Sequence, residues 1–279
     1  MEDVLPGIEE RTYTKIEAGR REPATNPMAI EEPLQVTVDG KAVAVLMRTP
    51  GREKELAVGF CVSEGVIGRF GDIALVQHCG RSTATPDATA DSLDISRNIV
   101  QIKLLRSAGA QRDARMDVLR LVRSGCGRAD PAEMIATLPP VTSELRVGPA
   151  LLAGLSHQVI TYQETYRQSG GLHAVLLFDR DGKLVVIGED IGRHNALDKA
   201  LGHCILRGIP LGDKIVYSTG RASYEMVLKS VRAGVPILLS RSSATTLAID
   251  LAEELNCTLI GYARGDKLSV YAHPERIAE

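Results

Sequence analysis

The chain has 279 residues, 44% hydrophobic and 24% charged, with a formal net charge of −2. That is the profile of a soluble globular chain, one large domain or two small ones, long enough to bury a substantial core. The near-neutral charge gives no global pull toward nucleic acid or membrane, and a chain with no Trp and three Phe lacks the rings of a base-stacking platform.

The N-terminus, MEDVLPGIEERTYTK, has neither the basic nor the apolar region of a secretory signal. No apolar run reaches the roughly 18 residues that read as a membrane span. A cytoplasmic protein is expected. Residues 1–33 are rich in Glu and Pro with little periodicity, and are expected to be a flexible lead-in. Leu34–Val38, Asp39-Gly40 and Lys41–Met47 read as a hairpin around a tight turn. Residues 53–66 place Leu56, Phe60 and Val66 near helical spacing. Residues 73–79 and 98–105 read as strands flanking a polar loop. Residues 34–105 therefore form a small α+β module.

Between Arg106 and Asp130 stand six arginines, at 106, 112, 115, 120, 123 and 128. The centre of this stretch reads as a short helix that runs out at Ser124-Gly125-Cys126-Gly127, because glycines on both sides of a cysteine break helix and strand alike. Residues 106–147 are thus an Arg-rich linker carrying a Cys126 loop. From 148 to 279 the pattern is regular. A helix over 149–168 ends at Gly170-Gly171. Strands 172–178 and 183–188 follow, then a helix over 194–206, a strand at 214–218 and a helix over 221–233. A strand at 235–240, a helix over 244–255 and strands 258–263 and 267–272 close the chain. This alternation implies a largely parallel sheet with helices on both faces.

In such sheets ligands bind outside the carboxyl ends of the strands. Three strand-to-helix junctions there are polar: Glu189–Asn195, Ser218–Ser223 and Ser240–Thr245. Helix N-termini favour anions, and the arginines at these junctions could fork onto a phosphate or carboxylate. The competing reading is that the Ser and Thr residues only cap helices. No Walker-type phosphate loop is present and no dinucleotide fingerprint precedes a helix. No histidine or cysteine spacing suits a structural zinc, and the zinc deaminase signature is missing. His78, His157, His203 and His273 read as surface or packing residues, whereas His173 and His194 fall at the ligand edge.

Five cysteines, an odd number without repeated spacing, point to a reducing compartment rather than a disulfide framework. Cys61, Cys204 and Cys257 lie in apolar periodic segments and read as buried; Cys79 ends a strand. Cys126 differs. Arg123 and Arg128 stand near it, and cations favour the nucleophilic thiolate. A covalent carrier needs nucleophilicity, access and reach. An incidental surface thiol is the alternative.

The blocks TPGREKELAVGFCVSEG, SGGLHAVLLF, EDIGRHNALDK, STGRASYEMVLK and YARGDKLSVY resemble the FdhD family, the accessory sulfurtransferases of formate dehydrogenases. The resemblance runs from about Glu32 to the C-terminus. It implies a cytidine-deaminase-like three-layer α/β domain without zinc chemistry, in a cytoplasmic homodimer. It implies that sulfur is taken as a persulfide from a cysteine desulfurase onto Cys126. The acceptor would be a molybdenum or tungsten cofactor with two molybdopterin guanine dinucleotides, destined for formate dehydrogenase. A guanine nucleotide such as GDP would mimic it. The implied cofactor-binding residues are His173, Asp190, Arg193, His194, Asn195, Ser218, Thr219, Gly220, Arg221, Ser223 and Ser242, with Tyr262, Ala263, Arg264, Gly265, Asp266 and Lys267. The chain departs from the family at one place. The family commonly carries Cys-Gly-x-Cys, and here Ala129 stands where the second cysteine would be. A two-thiol relay on this loop within one subunit is thereby excluded, and a cofactor-binding chaperone that carries no sulfur becomes the alternative.

Overall fold

The computed structural model describes residues 7–68, 70–79, 98–105, 120–122 and 138–278. Cys126, Ala129 and the rest of their loop lie outside the described residues. Residues Glu32–Val38 (β3) and Lys41–Arg48 (β4) form the expected hairpin. Its turn is Asp39-Gly40, both at positive φ (49° and 82°), as a two-residue turn matched to strand twist requires. Ile73–Cys79 (β5) and Ile99–Leu104 (β6) extend the sheet. Glu53–Ser63 (α1) covers one face, sealing a core of Leu34, Val36, Leu46, Val100 and Ile102 against Leu56, Phe60 and Cys61.

Two readings of the N-terminal half are corrected. Residues 1–33 are not simply a lead-in: Ile8–Glu17 (β1) and Arg20–Ala29 (β2) pair as an antiparallel ribbon around Ala18-Gly19. The ribbon is exposed on both faces, so no alternation of apolar residues marks it. The expected helix near residue 120 is instead a strand. Arg120–Val122 (β7) pairs parallel to β4 and completes a five-stranded sheet ordered β5-β6-β3-β4-β7.

The C-terminal part is three-layered. Its six-stranded sheet is ordered β13-β12-β11-β10-β8-β9. The strands are His173–Phe178 (β8), Leu184–Asp190 (β9), Ile215–Ser218 (β10), Ile237–Ser240 (β11), Thr258–Arg264 (β12) and Lys267–Ala272 (β13). One face packs on Pro149–Tyr162 (α2), through Ala174, Leu176, Phe178, Ile215 and Ile260 against Leu152, Leu155 and Val159. The other carries Val175, Leu177, Val216, Leu238 and Leu259. These meet Arg193–Leu206 (α4), Tyr224–Arg232 (α5) and Thr246–Glu254 (α6). Strands covered on both faces read as continuous apolar runs.

The sheet is mixed rather than largely parallel. Only β10–β11 and β11–β12 are parallel; β8–β9, β8–β10 and β12–β13 are antiparallel. The turns at Gly182 and Gly265, both at positive φ, join neighbours directly, and so short a connection permits only antiparallel pairing. The expected helix over 149–168 breaks at Gln163 (φ −84°, ψ 70°), leaving Glu164–Ser169 (α3) as a separate short helix.

Helices α1 and α4 meet in direct backbone contact. A Cβ on Gly59 would lie 1.9 Å from Asp198 O, and one on Gly202 1.8 Å from Glu55 O. Only glycine allows that approach. Buried polar groups also cross this boundary. Lys199 Nζ meets Thr49 O at 2.8 Å and Asp190 Oδ2 at 2.8 Å. Lys229 Nζ bonds Ser63 Oγ at 2.8 Å and Asp198 Oδ2 at 2.9 Å.

Candidate functional site

The site is built where the parallel strands β10 and β11 end. Ser218 and Ser240 are both buried, and each Oγ accepts a bond from the backbone N–H two residues on, Gly220 at 3.2 Å and Ser242 at 3.0 Å. These are two matching hydroxyl-closed turns. They are laced together by Ser240 Oγ to Gly220 O at 2.7 Å, Arg241 N to Ser218 O at 2.9 Å and Ala222 N to Ser243 O at 3.0 Å. Ser218 is thus a turn-closing residue outside the lining of the cavity described next. Gly220 is required by proximity, since a Cβ there would sit 2.9 Å from Arg193 Cδ.

These turns border a cavity of about 480 Å³. Thr219, Arg241, Ser242 and Arg264 line it from the strand-end turns and β12, and Gln163, Tyr166, Gly170, Gly171, Leu172 and His173 from the stretch between the end of α2 and the start of β8. Of the residues expected from the sequence, His173, Thr219, Ser242 and Arg264 thus meet. Arg264 Nε donates to Arg241 O at 2.9 Å. Thr219 Oγ1 accepts from Ala174 N at 2.9 Å, which ties the turn to β8. Burial, with Arg193 and Arg221 nearby, holds the His173 imidazole below its usual pKa. The cavity is a cationic site that can take an anion.

Other expected residues stand elsewhere. Asp190 is fully buried and its carboxylate is saturated by Lys199 Nζ (2.8 Å), Thr49 N (3.1 Å), Gly192 N (3.0 Å) and Asn195 Nδ2 (3.0 Å). Asn195 Nδ2 also reaches Met47 O at 2.7 Å. Both residues join the two modules, and neither lines the cavity. Their polarity marked a junction, and the buried Lys199 explains why it is acidic. His194 Nε2 lies 3.0 Å from Glu225 Oε2 and 3.5 Å from Ser223 Oγ. Burial and the charges of Arg193 and Lys229 push its pKa down to about 3, so it is a neutral donor to Glu225 rather than half of an ion pair. Arg193 is half-buried behind Gly220, and its Nε has no hydrogen-bond partner among the described residues. Arg221 is exposed and acts on the site through its charge. In the 262–267 segment only Arg264 lines the cavity. Ala263 is buried, its carbonyl accepting from Tyr217 Oη at 2.6 Å. Tyr262, Asp266 and Lys267 are exposed around the Gly265 turn.

Sequence reasoning missed Gln163, Tyr166 and Leu172 as lining residues. Arg241 was visible in the Ser240–Thr245 junction without being singled out, and the Gly170-Gly171 pair was visible as a helix end. Gln163 carried no signal, because its place in the site comes from the break between α2 and α3. Among the described residues no group of three or more His, Cys, Asp and Glu could hold a metal ion. Nor is any helix there long and apolar enough to cross a membrane. Cys61, Cys204 and Cys257 are buried, and burial pushes all three thiols up, Cys204 to about 11 and Cys257 to about 12.

A model of the FdhD/NarQ family matches residues 29–278. Among curated relatives, the sulfur carrier protein FdhD of Streptomyces coelicolor is 37% identical, over 97% of this chain and 95% of that one. The protein of the same name from Saccharolobus solfataricus is 37% identical, over 90% of each. A solved structure described as a formate dehydrogenase accessory protein, from Desulfotalea psychrophila, superposes with a TM-score of 0.76 at 25% identity. That alignment covers 98% of this chain and 100% of the other.

Proposed function

The chain belongs to the FdhD/NarQ family, and on that premise we propose that it is a sulfur carrier serving formate dehydrogenase. Its substrate is the bis-molybdopterin guanine dinucleotide cofactor, with molybdenum or tungsten, bound at the strand-end cavity. The observation that carries the cofactor reading is the convergence of Arg241, Arg264 and His173 on a cavity of about 480 Å³. The site offers cationic groups suited to the phosphates of such a molecule.

Sulfur rides on Cys126. Three of the four described cysteines are buried with their thiolates disfavoured, which suits packing and not nucleophilic work. The Cys126 thiolate attacks the outer sulfur of a desulfurase persulfide. One S–S bond forms and one breaks, the desulfurase cysteine leaves as thiolate, and no oxidant is needed. With Ala129 in the second position, the persulfide passes on directly, without a relay cysteine. The chain then acts as a sulfurtransferase in the cytoplasm, with a cysteine desulfurase and formate dehydrogenase as partners and a second copy in a homodimer.

Intact mass after incubation with a cysteine desulfurase and cysteine tests the step. Wild type gains sulfur and Cys126→Ala does not. Equal gain in both, or none in either, refutes it. Ala129 also favours a second reading, a cofactor-binding chaperone that carries no sulfur. That reading requires Cys126→Ala to restore formate dehydrogenase activity in a deletion strain.

A further inference from the structure

The β1–β2 ribbon has one edge closed to further pairing and one left open. The chain turns through Ala18-Gly19, both at positive φ (49° and 81°), a two-residue turn that makes Glu17 and Arg20 a hydrogen-bonded pair. Such pairs alternate along an antiparallel ladder. The odd-numbered residues of β1 therefore bond β2, and Ile30 N to Gly7 O at 2.9 Å continues the alternation. The even-numbered residues of β1 and the odd-numbered residues of β2 turn their backbone groups outward. On β2 the outward positions include Pro23 and Pro27, which have no N–H, and such prolines blunt an edge. On β1 the outward positions Glu10, Thr12, Thr14 and Ile16 all keep theirs. Strand β2 is the one strand neighbour of β1 among the described residues.

A two-stranded hairpin with both faces exposed is marginally stable in water and gains from further strands. The charges on β1 favour one such strand, a second β1. In antiparallel pairing about a two-fold axis at Thr12, Glu9 faces the partner's Lys15 and Lys15 faces the partner's Glu9. Arg11 faces the partner's Tyr13, and Ile16, 62% exposed near the tip, lies beside the partner's Ile8. Opposite charges facing across strands are favourable and like charges are not. Sliding one strand by two residues sets Arg11 against the partner's Arg11 in one direction. In the other it sets Glu9 against the partner's Glu17 and Arg11 against the partner's Lys15. A slide of one residue turns the backbone groups of one strand away from the other.

We propose that the open edge of β1 is a dimer interface, where two copies pair β1 with β1 around Thr12 into one four-stranded sheet ordered β2-β1-β1-β2. The contact is self-complementary, as a two-fold interface requires. It rests on the homodimer reading above and gives that dimer its interface.

Sedimentation equilibrium of the full chain tests the interface, on wild type, Glu9→Lys, Lys15→Glu, an equimolar mixture of those two, and Thr12→Pro. Each charge variant alone sets like charges across the axis at both ends and weakens the dimer about tenfold. Mixed, the two recover wild-type affinity, because one copy then offers two lysines to two glutamates of the other. Thr12→Pro removes the central outward N–H and weakens the dimer by about tenfold or more. Like Pro23 and Pro27, it leaves the β1–β2 bonds in place. Should Thr12→Pro lose the ribbon itself, the charge variants decide. A wild-type dimer that the charge variants leave intact overturns this inference alone and puts the interface elsewhere. Charge variants that stay weak when mixed show damage within one ribbon and overturn the pairing. Wild type that stays monomeric refutes the homodimer reading and this inference with it, and leaves sulfur transfer to its own mass assay.

Discussion

Lys229→Met is the sharpest test of how the two modules are held together. Lys229 Nζ sits among Ser63 Oγ (2.8 Å), Asp198 Oδ2 (2.9 Å) and Glu64 Oε1 (2.8 Å), over the Phe60 ring at 5.3 Å. The Lys229 and Asp198 side chains are 6% and 1% exposed. Asp198 and Glu64 keep the ammonium above its usual pKa despite burial. Methionine keeps the unbranched stem and removes the charge. It leaves Asp198 with one remaining side-chain donor among the described residues, Ser63 Oγ at 2.7 Å. Removing one partner of a buried pair destabilises by ~3–5 kcal/mol. For a chain of this size that is on the order of 10 °C in Tm.

The loss should depend on pH. Burial already pushes Asp198 up to about 6 with Lys229 present, and removing the lysine raises it further. A carboxyl whose folded pKa exceeds its unfolded value adds stability at low pH, and that stability is lost as pH rises toward the folded pKa. The variant therefore recovers relative to wild type between pH 7 and pH 5. Adding Asp198→Asn should restore about 2 kcal/mol, since Glu64 is partly exposed and can turn to water. Urea unfolding of the four proteins at both pH values measures this. Additive single effects, or equal deficits at pH 7 and pH 5, would refute the account.

Gly202→Ala should destabilise by about 3 kcal/mol or more, because its Cβ would enter the Glu55 carbonyl at 1.8 Å. Gly154→Ala, in α2 with nothing among the described residues within 4 Å of the new Cβ, should instead stabilise by about 0.5–1 kcal/mol. Thermal melts of the pair separate close packing from helix propensity. His194 titrates near 3 in the fold against an ordinary 6.5, so the unfolded chain binds the extra proton between those values. Its contribution is complete above pH 6.5 and falls by ~1.4 kcal/mol per pH unit below it. His194→Gln should flatten that slope in urea unfolding between pH 6.5 and 4.

The local elements were legible because their signals are local. Asp39-Gly40 marks a hairpin and Gly170-Gly171 a helix end. The apolar runs of β8 to β12 match a sheet covered on both faces. The β1–β2 ribbon was not legible, because a ribbon without a buried face needs no apolar alternation. Strand polarity was read as too parallel, because chain order does not say which neighbours a turn will join.

The site divides in the same way. The polar junctions at the strand ends, with their serines and arginines, are visible in sequence, as are Cys126 and the Ala129 substitution. Which of those polar groups serve a ligand is decided only in three dimensions. Asp190 and Ser218 look like ligand groups in the chain, yet the Asp190 carboxylate is saturated by neighbours and the buried Ser218 hydroxyl closes its own turn. Gln163 looks like nothing in the chain, yet it is among the residues lining the cavity, and its buried oxygen has no partner among the described residues. The reason is physical. A residue's type fixes what bonds it can make, but whether those bonds are already made depends on groups that only folding brings beside it.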